Sequence, residues 1–327
     1  MNYHIPNRPR RLRSNSAIRS LVEETHLRPS DFVLPVFISD EATPTEVPSM
    51  PGVFRWPVKL LENQLKIWRD MGIKAFALFP KIEHGKKDPF GSEILNPDGL
   101  VYRASKLVKK SKLDVLLIAD LALDPYTSHG QDGVLNSDGT IDNDQTIEKL
   151  AKAALMCAES GFEWVAPSDM MDGRVGVIRN VLDENSFTNT GIISYSAKFA
   201  SSYYGPFRSA IESEPEGESV DKKSYQLNPS NFKEAKRELF LDLDECADML
   251  MIKPAEPYLD IIHFASNKLD VPIAAYQVSG EYSRIMAAHQ LGWLDWRNCA
   301  LESLVCIKRA GANLIFTYFA DRIVGDL

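Results

Sequence analysis

Eight short apolar runs recur along this chain, spaced so that a helix fits between most neighbours. No other feature constrains the fold as much. The runs are Phe32–Ile38, Ala75–Pro80, Val115–Leu121, Trp164–Pro167, Gly191–Ser196, Met249–Lys253, Ile273–Val278 and Asn313–Tyr318. Each has the length of a strand buried on both faces. Between most of them the apolar period changes to i, i+3, i+4, as in Leu60–Met71, Ile147–Ser160, Tyr258–Leu269 and Leu301–Ala310. Gly72, Gly161 and Gly311 follow three of these stretches, where a left-handed C-cap needs glycine. Strand–helix units repeated eight times predict an α/β protein of the (β/α)8 TIM-barrel class. The rival, a doubly wound open sheet, would favour a Gly-x-Gly-x-x-Gly turn after its first strand, and none is present. The 327 residues, 44% of them apolar, suit one such barrel as a single unit.

Two segments break the alternation. Residues 1–30 read as an extended N-terminal arm ahead of a catalytic barrel over 31–327. The first twenty residues hold Arg8, Arg10, Arg11, Arg13 and Arg19 and no acid, whereas the whole chain carries −8. A basic arm on an acidic body predicts packing on a neighbouring subunit, with a nucleic-acid patch or a solvated tail as the alternatives. Glu212–Asn231 is polar, rich in acids and without period. A loop of that length after the fifth strand predicts a lid over the catalytic face of a barrel.

The acidic balance argues against a nucleic-acid partner. The longest apolar runs, such as Val115–Ala119, fall far short of a membrane span, and no apolar signal core precedes them. The four cysteines, Cys157, Cys246, Cys299 and Cys306, form no Cys-x-x-Cys pair and lie in stretches of helical spacing. All four are expected in or near the core of a protein in a reducing, cytoplasmic location.

Barrel enzymes carry their chemistry at the C-terminal ends of the strands. Polar groups collect there: Asp120, Asp124, His129 and Asp132 at the third strand, Ser168, Asp169 and Asp172 at the fourth, Lys198 at the fifth, Lys253 at the sixth, Ser279 at the seventh and Tyr318 at the eighth. The two lysines are the sharpest signal. Each follows an apolar strand, and the two strands are consecutive. One such lysine is as often half of a structural ion pair. Two side by side would depress each other's pKa, as would an apolar surround, and a neutral amine can then attack a ketone to form a Schiff base. Both pKa values are therefore expected to fall. Lys198 and Lys253, with Asp120 and Ser168, are the candidate catalytic groups.

The sequence around these lysines resembles the 5-aminolevulinate dehydratase (porphobilinogen synthase) family. The resemblance rests on Tyr195-Ser196-Ala197-Lys198-Phe199-Ala200-Ser201 with Tyr204-Gly205-Pro206-Phe207-Arg208, and on Met251-Ile252-Lys253-Pro254. It rests also on Val278-Ser279-Gly280-Glu281-Tyr282, Pro167-Ser168-Asp169-Met170-Met171-Asp172-Gly173-Arg174 and Asp124-Pro125-Tyr126-Thr127-Ser128-His129-Gly130. It runs from about residue 5 to the C-terminus. It implies condensation of two 5-aminolevulinate molecules to porphobilinogen, with loss of two waters, in heme and chlorophyll biosynthesis. Lys253 matches the lysine that binds the first substrate, which becomes the propionate side of the product, and Lys198 the one that holds the second. Ser279 and Tyr318 match the groups that bind the first carboxylate, and Arg208 and Lys222 the cationic pair on the other.

In part of the family three cysteines after the third strand hold catalytic zinc. Ala122, Asp124 and Asp132 stand at those positions here. Without thiolates a zinc site is not expected; two carboxylates suit a harder ion or simply line the pocket. Glu238 matches the ligand of an allosteric magnesium that favours a homo-octamer in magnesium-responsive members. Two other classes compete: a Schiff-base aldolase, for which one lysine suffices and phosphate-binding glycine loops would be expected, and a non-catalytic ring-forming scaffold, which would have lost a lysine or a carboxylate clamp. Neither pattern is present.

Overall fold

The computed structural model describes residues 5–213 and 221–327. Residues 214–220 of the expected lid, and residues 1–4 of the arm, lie outside them.

Eight parallel strands close into a barrel: β1 Phe32–Ser39, β2 Ala75–Pro80, β3 Leu116–Leu121, β4 Trp164–Pro167, β5 Gly191–Lys198, β6 Met249–Lys253, β7 Ile273–Gln277 and β8 Leu314–Thr317. Each pairs with the next, and β8 returns to β1 through Phe32↔Ile315 and Val33↔Phe316. Every residue of β1 and of β5 is buried. Helices on the outer surface and packed side chains in the barrel leave no wet face, which is why the strands read as unbroken apolar runs.

The helices are α1 Val58–Asp70, α2 Leu100–Ser111, α3 Asn143–Ser160, α4 Arg174–Glu184, α5 Phe232–Asp244, α6 Leu259–Lys268, α7 Ser279–Gln290 and α8 Trp296–Ala310. Their inner stripes follow the sequence period: Leu61, Leu65 and Trp68 of α1 are buried while Lys59, Glu62 and Lys66 face out. Burial of each such leucine contributes about 1.5–3 kcal/mol. Asp142 and Asp295 cap α3 and α8 by accepting the N–H of Gln145 and Asn298. Gly161 and Gly311 end the same two helices at φ +112° and +119°, as their spacing predicted.

A small hairpin (Thr45–Glu46 with Phe54–Pro57) extends the sheet beside β1, and a short helix, Gly205–Ile211, follows β5. The arm holds a 3-10 turn, Pro9–Arg13, and a helix, Ser16–Leu21, neither of which buries a residue. Among the described residues no helix is long and apolar enough to cross a membrane.

The expectation that the cysteines lie in or near the core holds for Cys157 and for Cys299, which packs against the core, but fails for Cys246. Only Cys157 is buried; Cys299 and Cys306 are partly exposed and Cys246 is exposed. Cys246 sits past the end of α5 at φ +71°, in the turn that leads into β6, so it packs no helix face.

Candidate active site

Lys198 and Lys253 end β5 and β6 and lie side by side as register partners. Each is 6% exposed. Their surroundings differ sharply.

The Lys253 ammonium nitrogen sits in an aromatic box, with ring centroids at 4.5 Å (Tyr276), 5.0 Å (Tyr195), 5.2 Å (Phe207) and 5.3 Å (Tyr204). Burial, followed by the charge of Lys198, brings its pKa down to about 7 against the pull of Asp120, Asp124 and Asp132. Its neutral, nucleophilic form is thus far more accessible than that of an ordinary lysine. Two groups matched by resemblance to a carboxylate clamp adjoin this box. Tyr318 shares a hydrogen bond of 2.9 Å with the Tyr276 hydroxyl, and the Ser279 Oγ accepts the Phe207 N–H at 3.0 Å.

Lys198 lies among oxygens. Its Nζ donates to Asp132 Oδ2 at 2.8 Å and to the Ser168 carbonyl. Burial works against its charge, but Asp132 and then Asp124 outweigh it, so its pKa is raised. The expectation that both lysines fall is therefore wrong for Lys198. The reason is Asp132, a side chain that the sequence does not reveal as its partner.

Asp132 is fully buried and serves two cations. Its other oxygen accepts from Lys222 Nζ at 2.5 Å, and Lys222 also reaches Asp124 at 3.4 Å. Burial pushes the Asp132 carboxyl up, yet Lys198 and Lys222 hold it at about 2. The loop is braced from outside: Tyr225 accepts the Asp132 N–H and donates to Gln131 Oε1. Lys222 and Arg208 line one cavity of about 560 Å³ with Ser201, Ser202 and Gln226. Among the described residues Arg208 forms no ion pair.

Asp120, on β3, lies between the two lysines electrostatically. Burial pushes its carboxyl up to about 6 against Lys253, and Ser168 Oγ donates to Oδ2 at 3.0 Å. Its Oδ1 is buried with no partner among the described residues, so one oxygen is free to exchange a proton with a ligand.

Some strand-end groups do not join the lysines. His129 turns outward, with Nε2 3.0 Å from the Pro89 carbonyl. Asp172 is exposed and lines a separate cavity of about 280 Å³ with Asn143, Glu234 and Glu238. Asp169 is buried on the Met171 N–H. Sequence reasoning missed the aromatic box. Its only trace was the placing of Tyr195 and Tyr276 inside apolar strands. It also missed Arg174, buried below β5, which pairs with Asp242 at 2.5 Å and donates to Ser194 and the Tyr195 carbonyl.

Metal donors fall into two cases. Asp124 and Asp132 already face lysine ammonium groups, so they do not fit a tightly bound ion. Glu238 is half-buried, and its carboxyl is pushed up by burial and then by Asp242, Asp172 and Glu234, against Arg174. A divalent cation would relieve that repulsion. Among the described residues no three His, Cys, Asp or Glu side chains converge as a full ligand set.

A family model described as "Delta-aminolevulinic acid dehydratase" matches residues 6–325. The chain is 47% identical over 315 residues to the chloroplastic delta-aminolevulinic acid dehydratase of Glycine max, covering 96% of this chain and 76% of that protein. It is 46% identical over 321 residues to the delta-aminolevulinic acid dehydratase of Chlamydia pneumoniae, covering 98% and 96%. The crystal structure of the Toxoplasma gondii delta-aminolevulinic acid dehydratase (porphobilinogen synthase) with porphobilinogen superposes with a TM-score of 0.96 at 46% identity, covering 99% of this chain and 92% of that one.

Proposed function

The chain belongs to the delta-aminolevulinic acid dehydratase family, and from that premise we propose how its residues divide the work. Its activity is that of a porphobilinogen synthase, a hydro-lyase of tetrapyrrole biosynthesis that condenses two 5-aminolevulinate molecules.

Lys253 takes the first substrate, since its amine is the one available at neutral pH. Lys198 takes the second: once Lys222 leaves Asp132 for that substrate's carboxylate, Asp132 becomes the better base, and the Lys198 proton passes to it along their hydrogen bond. Each amine adds to one ketone carbon and water leaves, so two waters are lost as two imine links form. Carbon–carbon and carbon–nitrogen bonds then form between the two substrates. Both lysine nitrogens are displaced and return as free amines, taking protons released from carbon and from the substrate amino nitrogen that closes the ring. Asp120, with Ser168 on one oxygen and the other unpartnered, is the group placed to move those protons. The aromatic box excludes water from the imine on Lys253 and so protects it from hydrolysis. Ser279 and Tyr318 bind the first carboxylate. Arg208 and Lys222 bind the second, with Lys222 leaving Asp132 to do so.

The observation that carries this reading is the register pairing of two buried lysines, one in rings and one on carboxylates. Borohydride reduction in the presence of 5-aminolevulinate, followed by peptide mass spectrometry, tests it. Adducts should appear on both lysines and nowhere else.

Glu238, with Asp172 and Glu234 beside it, would hold magnesium as an effector; when bound, that ion supplies charge neutralisation on the outer surface rather than chemistry at the lysines. Zinc has no part in this reading, since Ala122, Asp124 and Asp132 offer no thiolate. A homo-octamer assembled partly through the arm belongs to the same proposal, supported by the arm's lack of buried residues on its own barrel. So does a cytoplasmic location, in keeping with four free cysteines.

A further inference from the structure

The loops that follow the two lysines both rest on the start of α7. On the Lys198 side, Ser279 Oγ donates to the Tyr203 carbonyl at 3.3 Å besides accepting the Phe207 N–H. Gly280 presses on the same stretch: a Cβ there would lie 2.5 Å from the Tyr203 oxygen and 2.7 Å from its Cα. Both atoms are backbone, so only glycine allows that approach.

Glu281 turns to the Lys253 side. It is fully buried, and its carboxylate accepts three backbone N–H groups: Val278 at 2.5 Å, Glu256 at 2.6 Å and Ala255 at 3.4 Å. Ala255 and Glu256 follow Lys253-Pro254 directly. One turn on, Arg284 spans both loops. It pairs with the Glu256 carboxylate, donates to the Tyr203 hydroxyl at 3.3 Å and stacks 5.4 Å from the Tyr203 ring.

We propose that the first two turns of α7 form a buckle that sets the geometry between the two lysines, with Glu281 as a positioning residue for Lys253 and Arg284 as the tie between the loops. Neither side chain touches substrate in this arrangement. Burial raises the Glu281 carboxyl to about 8 against the N–H groups of Val278 and Ala255, and because every group facing it is a donor, only oxygen atoms suit the position. An amide there would set its own N–H₂ against one of them. The inference rests on the two-lysine reading above.

The test uses the full-length protein and two variants, Glu281→Gln and Arg284→Ala, assayed for kcat, KM and borohydride adducts at each lysine. Glu281→Gln should lower kcat roughly 10- to 100-fold, as expected for misplacement of about 1 Å. Its Lys253 adduct should fall while its Lys198 adduct persists; a general loss of fold would lower both together. Arg284→Ala should leave each adduct and KM near wild type and lower kcat roughly 3- to 10-fold, because each substrate still binds but the two meet less often. The wild type is the control: if it fails to give both adducts, the two-lysine reading fails, not the buckle. Wild-type kcat and adduct ratio in both variants would overturn the buckle. If Glu281→Gln does not fold, Arg284→Ala decides alone, since its side chain is exposed.

Discussion

Lys198 and Lys253 are partners across β5 and β6 because β5 carries one residue more than β6 between two register points. Leu250 pairs with Ser194, yet Ile252 pairs with Ala197, and Lys253 therefore meets Lys198. Without that bulge Lys253 would face Ala197, and Lys198 would point to the opposite face of the sheet. Bulges re-aim side chains next to active sites, and this one brings the second amine into the barrel mouth.

Deleting Ser196, one of the two residues opposite Met251, removes the bulge but leaves Ala197 opposite Ile252 and Lys198 opposite Lys253, so both adducts should still form. Peptide mapping after borohydride reduction reads both. Loss of the Lys198 adduct alone would show that register with Lys253 is not what aims it.

The pH dependence should report Lys253. Its pKa is lowered to about 7, so its reactive neutral form grows as pH rises through 7. The acidic limb of kcat/KM should fall near that value. A Tyr276→Leu variant removes the nearest ring and admits water. Its limb should move to higher pH, because relief of desolvation raises a lysine pKa. An unmoved limb would remove the aromatic box from the explanation.

Asp132→Asn should separate stability from chemistry. Asp132 neutralises two buried ammonium groups, and breaking such an arrangement costs about 3–5 kcal/mol. Its folded pKa, about 2, is depressed below the ordinary carboxyl value of 3.8. The stabilisation is thus full above the unfolded value and is lost as pH falls through about 2. Urea unfolding of wild type and variant should therefore differ at pH 7 and converge between about pH 4 and pH 2. An equal gap throughout would mean the carboxylate charge is not what matters.

Much of this was legible in the sequence. Ala75–Pro80, Trp164–Pro167 and Met249–Lys253 are strands at the boundaries their apolar runs predict. The reason is physical: a strand covered on both faces must be apolar until it reaches the rim. The last run shrinks to Leu314–Thr317 because its ends turn away into loops. What could not be read depends on side chains that arrive from far along the chain. Asp132 reaches Lys198 from a loop eleven residues past the end of β3, and no spacing rule marks it. The bulge in β5 is equally silent, since Tyr195 and Ser196 continue an ordinary strand pattern. Glu281 reads as an ordinary acid in the first turn of a helix; only its three backbone donors set it apart.

Magnesium should act through Glu238. Adding it should raise activity by favouring one assembly, and Glu238→Ala should lose that response while keeping most basal activity, because Glu238 lines a cavity apart from the lysines. An activity titration beside sedimentation velocity checks both. Full stimulation in Glu238→Ala would remove this residue from the effector site, and an essential stoichiometric zinc in the wild type would contradict the reading of Asp124 and Asp132.

The most direct measurement is porphobilinogen formation by Lys253→Met and Lys198→Met, each compared with wild type under saturating 5-aminolevulinate. Methionine nearly preserves the volume of each side chain while removing the amine. Both variants should fold, and each should lose roughly 1,000-fold or more in turnover, since the covalent step on one substrate is gone. Each should also lack the borohydride adduct at its own position. Near-normal product formation by either variant would contradict the two-lysine mechanism.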